Sequence, residues 1–263
     1  MDSQAMNKCC QQMRLDLLEL AHNAGSQGAH IASGLSEIEI LAAVYLNKMN
    51  LEKDHFILSK GHGGLGYYTA LKQADLITRD QLLSFETDGG DFPGQPSKNL
   101  SIGIEYSSGT LGVGISYSAG IALAKKLSNG KGNVYVLLGD GECDEGSVWE
   151  TAMFANAQHL DNLIAIVDYN KMQSDGTVKS VLQYDPENIW KSFGWATISV
   201  DGHNTDKLLS ALNMPHCDQP LVIIANTIKG KGVSFMENNN AWHHNRLSDE
   251  DYEKAVQEIK EVL

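Results

Sequence analysis

Positive charge is scarce in this 263-residue chain: 20 Lys and Arg stand against 33 Asp and Glu, a formal net charge of −13. Basic segments such as Lys229-Gly230-Lys231 are short and do not offset this charge, which argues against nucleic acid or an anionic membrane surface as the main partner. Any phosphate this chain binds must be met by local devices: a metal ion, helix N-termini or a few histidines. No stretch approaches the roughly twenty apolar residues of a bilayer-spanning helix. The start, Met1-Asp2-Ser3-Gln4-Ala5-Met6-Asn7-Lys8, has neither the basic segment nor the apolar run of a signal peptide. Cysteines are few (Cys9, Cys10, Cys143 and Cys217) and form no C-x-x-C or zinc-finger spacing, which fits reduced thiols in a cytoplasmic protein. No repeat, low-complexity tract or linker interrupts the chain. Length alone allows one large α/β domain or two small ones, and we expect one domain over 1–263.

What is present alternates. Helices are expected over Lys8 to about His22, from a capping-box pattern at Ser36 and Glu39 through Leu46, and over Tyr67–Leu76, Gly112–Leu127 and Ser147–Ala157. A last helix, capped near Ser248, carries Tyr252, Ala255, Val256, Ile259 and Leu263 on its apolar face. Strands are expected at His55–Ser59, Val134–Leu138, Leu163–Val167, Trp195–Val200 and Leu221–Thr227. Ser84 to Ser101, rich in glycine, proline and polar residues, is expected to be an extended surface loop. This order predicts an α/β fold of three layers, a mainly parallel sheet between helices.

The chemistry concentrates after the second strand. Gly139-Asp140-Gly141-Glu142-Cys143-Asp144-Glu145 is followed, thirty positions after Asp140, by Asn170 at the end of the third strand. A strand–helix–strand crossover brings the carboxyl ends of both strands together, where open α/β sheets bind ligands. Carboxylate and amide oxygens are hard ligands, and with phosphate oxygens and water they suit Mg2+. Four carboxylates within six residues would repel unless a cation relieved them. A plain solvated acidic loop is the bland alternative. An EF-hand fails on Glu145 where glycine is needed and on Thr151 at the twelfth position. Cys143 reads as a packing residue, since soft sulfur is a poor Mg2+ ligand. Gly61-His62-Gly63-Gly64-Leu65-Gly66 spells a dinucleotide fingerprint, but Glu86 and Asp88 do not close a following strand as that motif requires.

The Gly-Asp-Gly and its distant Asn match the thiamine-diphosphate motif, and the surrounding words resemble transketolase, in the amino-terminal half that some microbes encode separately. The resemblance runs in family order from about residue 20 onward: Ser59-Lys60-Gly61-His62, Ser107 to Gly112, Asp175-Gly176, Phe193-Gly194-Trp195, Val200 to His203, Lys229 to Asn239 and Ala241-Trp242-His243. It implies thiamine diphosphate with Mg2+ (or Ca2+ or Mn2+ in its place). Asp140, Asn170 and the Met172 carbonyl would hold the metal. Gly139, Gly141, Glu142, His62 and His243 would lie at the diphosphate, and Gly109 and Leu111 at the aminopyrimidine. His30 and His243 would meet substrate. Glu145 and Glu150 match glutamates thought to link paired active sites through protons. His244, where glycine often stands, is assigned no role.

The chain also departs from that pattern. Ile31 replaces a usual proline in a longer His30 loop, Thr110 replaces a proline, and Gln95 stands where the family has a substrate-binding histidine. Glutamine donates and accepts hydrogen bonds but carries no proton as imidazolium does, so a shifted, non-standard sugar substrate is expected. No segment resembles the pyrimidine-binding domain. The resemblance thus implies a split enzyme, with a separate carboxyl-terminal subunit in an α2β2 heterotetramer, transferring a two-carbon ketol unit between a ketose and an aldehyde. Decarboxylation of a 2-oxo acid with acyl transfer, or a non-catalytic scaffold, are the alternatives.

Overall fold

The computed structural model describes residues 1–261. Five strands form one sheet: β1 (His55–Leu58), β2 (Val134–Gly139), β3 (Leu163–Tyr169), β6 (Ala196–Asp201) and β7 (Leu221–Asn226). A two-stranded hairpin of β4 (Met172–Gln173) and β5 (Gly176–Thr177) stands apart. The sheet order is β1-β2-β3-β7-β6 and every pairing is parallel, so all five carboxyl ends open on one edge.

The pleat sorts side chains into two cores. Tyr135 and Leu137 of β2, with Leu221, Ile223 and Ala225 of β7, join a core with residues of helices Ser3–Asn23, Ile38–Ala43, Gly64–Gln73 and Asp249–Glu261. Val134, Val136 and Leu138, with Val222 and Ile224, join a second core with Gly114–Leu127, Gly146–Ala157 and Pro186–Ser192. Near-continuous apolar strands covered on both faces are what a buried parallel sheet requires. The expected three-layer α/β/α arrangement is present.

Several local expectations needed correction. Ser36 does not cap the following helix. It ends the helix Ile31–Ser36, and its hydroxyl donates to Asp168 Oδ2 (2.6 Å) and the Ser33 carbonyl (2.9 Å). Glu39, the other half of that pattern, is buried with Arg14 in a bidentate pair (2.6 and 2.9 Å). The next helix covers Ile38–Ala43 and widens into a π-type turn over Val44–Lys48. The helix expected at Tyr67–Leu76 runs from Gly64 to Gln73. The segment after Ser84 is not all surface: Phe85, Phe92 and Pro96 are buried, and the Tyr68 hydroxyl donates to the Pro93 carbonyl (2.6 Å). The last helix follows the Ser248 cap as expected, with Ala255 and Ile259 buried. Leu263 lies outside the described residues. Among them no helix is long and apolar enough to cross a membrane.

Candidate active site

β1, β2, β3 and β7 deliver the chemistry. Each ends on the open edge and hands the chain to Ser59-Lys60-Gly61-His62, Asp140, Asn170 and Thr227, respectively. The register sets Gly139 beside Asp168 and Asp168 beside Ala225. A cleft here is lined by His62, Leu111, Gly139, Asp140, Gly141, Glu142, Asn170, Met172 and His243, as the sequence suggested, and also by Lys229.

Asp140 is 2% exposed. Its Oδ1 accepts from the Gly141 amide (2.8 Å) and its Oδ2 from the Lys171 amide. Burial, then the nearby Asp168 charge, pushes its carboxyl up to about 7. A buried carboxylate so disfavoured calls for a cation. Asn170 Oδ1 accepts from the Met172 amide (3.1 Å), and its Nδ2 donates to Asp168 Oδ2 (3.2 Å). Among the described residues no three His, Cys, Asp or Glu side chains converge as a metal cage. One carboxylate, one amide and one backbone carbonyl fit Mg2+ that keeps substrate or cofactor phosphates in its shell.

The acidic loop is not the four-carboxylate trap that its sequence suggested. Glu142 is 1% exposed and accepts from Ser59 Oγ (2.5 Å), the Gly112 amide (2.8 Å) and the Gly139 amide (3.1 Å). It ties three segments together beneath the cleft. Asp144 accepts from Gln173 Nε2 (2.8 Å), and Glu145 is exposed. Cys143 is buried, as expected of a packing residue. Glu145 and Glu150 lie on the surface outside both clefts.

Under the cleft lies a charge cluster that sequence reading missed. Lys60 is fully buried, with Nζ 2.5 Å from Asp168 Oδ2, 2.9 Å from Glu37 Oε2 and 3.2 Å from the Ser33 carbonyl. Asp168 also accepts from Ser36, Asn170 and the Thr227 hydroxyl. Burial opposes its charge, but the Lys60 ammonium and these donors hold its carboxyl below the usual range. Burial instead drives Glu37 up to about 8. Within the cluster the Lys60 ammonium pairs with Asp168 and also lies against Glu37, whose charge is disfavoured by burial. Neither Glu37 oxygen has an aligned hydrogen-bond partner, so its 2.9 Å approach to Lys60 is a close contact rather than a well-directed hydrogen bond.

This cluster explains two of the glycines that mimic a dinucleotide fingerprint, Gly63 and Gly66. A Cβ on Gly63 would stand 2.5 Å from both Glu37 carboxylate oxygens, and one on Gly66 2.8 Å from the Gly34 carbonyl. The glycines admit a neighbouring helix and its acid, not a nucleotide. Lys60 and Asp168 had one faint signature in the sequence: each charged residue directly ends an apolar strand, where burial is the default.

Above the cleft the histidines gather. His30 lies 5.9 Å from His62, 5.3 Å from His243 and 4.6 Å from His244 between ring centroids. His243 Nδ1 is 2.8 Å from Lys229 Nζ. Burial first, then neighbouring histidines and lysines, brings His30 and His243 down to about 4 and His62 well below its usual value. Burial and Lys60 bring Lys229 down to about 8. His62 and His243 therefore face the cleft, and His30 the space beside it, as neutral imidazoles at neutral pH, donors and acceptors rather than fixed charges. A second chamber begins at His62, lined by His30, Glu86, Gly94, Gln95 and His244. Gly109, in an extended left-handed conformation (φ +141°), is a neighbour of Gln95, whose Oε1 a Cβ there would meet at 2.9 Å.

Fold and site together define a parallel α/β protein with a polar cleft at the carboxyl edge of its sheet. The family described as transketolase, thiamine diphosphate binding domain, matches residues 13–261. The chain belongs to that family. It is 40% identical over 242 residues to the 6-deoxy-6-sulfo-D-fructose transketolase subunit of Clostridium sp. (strain MSTE9), covering 88% of each chain. It is 38% identical over 250 residues to an apulose-4-phosphate transketolase subunit of Actinobacillus succinogenes, covering 91% of each. Mouse transketolase is 35% identical over 269 residues, 97% of this chain but 42% of that one. The solved transketolase of Campylobacter jejuni superposes with a TM-score of 0.89 at 25% identity, over 99% of this chain and 43% of that chain. The chain thus spans about two fifths of the length of the solved transketolases it matches.

Proposed function

We propose that this chain is the diphosphate- and metal-binding subunit of a two-chain, cytoplasmic transketolase, transferring a two-carbon ketol unit from a ketose to an aldehyde. The observation that carries the reading is the convergence of Asp140, Asn170, His62, His243 and Lys229 on one cleft at the strand ends. Bound thiamine diphosphate would supply the carbon nucleophile and electron sink that side chains lack. Asp140, Asn170 and the Met172 carbonyl would hold Mg2+, or Ca2+ or Mn2+ in its place. Gly141 keeps the cleft narrow, since a Cβ there would meet Gln173 at 2.9 Å, and the Gly139–Glu142 loop would border the diphosphate. Lys229, His62 and His243 would meet diphosphate oxygens, and Leu111 with the Gly109 backbone would support the aminopyrimidine. His30, His243 and Gln95 would touch the substrate. Glu145 and Glu150, solvent-facing here, would act at a subunit interface.

The chain would serve as a single domain of an α2β2 assembly whose other subunit carries the pyrimidine-binding domain. The names of the two bacterial relatives, each a transketolase subunit, support a separate partner. Their substrates, a sulfosugar and apulose 4-phosphate, together with Gln95, support a non-standard sugar. The test is to purify this chain with its second chain through a tag on this one, then assay thiamine diphosphate content and product. Ketol transfer without carbon dioxide release is expected. Carbon dioxide release from a 2-oxo acid would replace this reading with the decarboxylase, and an assembly that binds no cofactor would replace it with a scaffold.

A further inference from the structure

His244 is the chamber residue to which the cofactor cleft gives no role. Its place is fixed by backbone: the amide of Ala29 donates to the Asn245 carbonyl (3.0 Å), and that of Asn245 to the Ala29 carbonyl (3.1 Å). Gly28, at φ +69°, allows this close approach, because a Cβ there would stand 3.0 Å from the Asn245 backbone. The two-bond bridge clamps the His244 segment against the His30 loop and sets the two rings edge to face, 4.6 Å apart. Gln95 reaches the same chamber from the Phe92–Pro96 loop, resting over Gly109.

The chamber's chemistry is distinctive. Its lining holds no Lys or Arg among the described residues. Its one carboxylate, Glu86, already accepts from the Gly94 amide. An anionic sugar terminus would find no counter-charge there, whereas hydroxyl and carbonyl oxygens would find imidazole and carboxamide donors and acceptors. His30 stays neutral beside them, held down by burial and by His244 itself.

We propose that His244 is a specificity-determining substrate contact: with Gln95 it grips the hydroxyl- and carbonyl-bearing part of the sugar, supplying from the carboxyl-terminal loop an imidazole that the Phe92–Pro96 loop lacks. This rests on the ketol-transfer reading. The test uses the assembled two-chain enzyme with D-fructose 6-phosphate and D-fructose as donors, which differ only in the terminal anion. His244→Gly should lower kcat/KM about tenfold for both donors, while thiamine diphosphate affinity stays within about twofold. His244→Gln, which keeps a donor and an acceptor, should retain most of the rate. Adding Gln95→His to His244→Gly should recover most of the loss, because one imidazole again serves the same chamber. An unchanged kcat/KM in His244→Gly, a loss confined to the phosphorylated donor, a parallel loss of cofactor affinity, or strictly additive double substitution would each overturn the proposal. A wild-type assembly that transfers nothing from either ketose, nor from 6-deoxy-6-sulfo-D-fructose or apulose 4-phosphate, is a different result: it removes the ketol-transfer reading and this inference with it.

Discussion

The two clefts that meet at His62 are built differently. The cofactor cleft stands on strand ends: β1, β2, β3 and β7 each contribute the residues just past their last paired position, and a shared ladder fixes their spacing. Below it, Lys60, Asp168, Glu37 and Glu142 lock the loops from inside. The second chamber stands mostly on loops: residues 28–30, 86–95 and 243–245, joined by a two-bond bridge and one glycine contact. A site on strand ends is costly to alter, because many of its residues, Lys60, Asp168 and Glu142 among them, also hold the fold. A site on loops can change its substrate and leave the sheet intact. The departures from the family pattern at Ile31, Gln95 and His244 fall around the loop-built chamber.

The sharpest way to break this contrast is to strike beneath the cofactor cleft. Lys60→Met leaves Asp168 charged and unpaired in the interior and should destabilise the fold by about 3–5 kcal/mol, whereas His244→Ala should stay within about 0.5 kcal/mol. Denaturant melts of both variants check this, and equal melts would erase the distinction. Asp140→Ala should next lower thiamine diphosphate and Mg2+ retention at least about 100-fold, measured as cofactor carried through gel filtration. Undiminished retention would move the metal elsewhere.

The same carboxyl gives a pH signature. In the cation-free cleft it titrates near 7, and Mg2+ must displace that proton. Mg2+ affinity should therefore fall as pH drops below about 7 and level off above it. A flat profile from about pH 5.5 to 8, read by titration calorimetry, would contradict the placement of Asp140 as a ligand.

Glycine substitutions sharpen the comparison further. Gly63→Ala pushes a methyl against Glu37 and should cost about 1–3 kcal/mol. Gly139→Ala meets nothing nearer than Lys60 Cβ at 3.7 Å, so its melt should match the parent and any defect should appear in cofactor binding. The smallest effect is expected at the chamber. Gln95→His should change the preference between ketose donors by about three- to tenfold with cofactor binding unaltered, and identical donor profiles would remove Gln95 from the substrate site.

Much of this was legible before any fold was seen. The five strands announce themselves as short apolar runs, because a sheet covered on both faces leaves little room for polar residues. Asp140 and Asn170 stand out because hard oxygen donors placed just after two such runs have no packing purpose. Ser36 misled, since its pattern with Glu39 is that of a helix cap, yet both side chains were taken by distant partners, Asp168 and Arg14. The acidic loop misled in the same way: adjacent carboxylates look alike in sequence, while Glu142 turns inward to three donors and Glu145 faces water.

Local periodicity and residue chemistry thus determined the layers, the strand ends and the polar residues just past them, because these depend on neighbours within one element or one crossover. Tertiary structure alone decided which charges are buried together, why Gly63 and Gly66 must be glycine, and that His244 shares a chamber with Gln95. Those facts depend on segments separated by some 25 to 150 residues, brought together by the sheet. No sequence window contains both partners of such a contact.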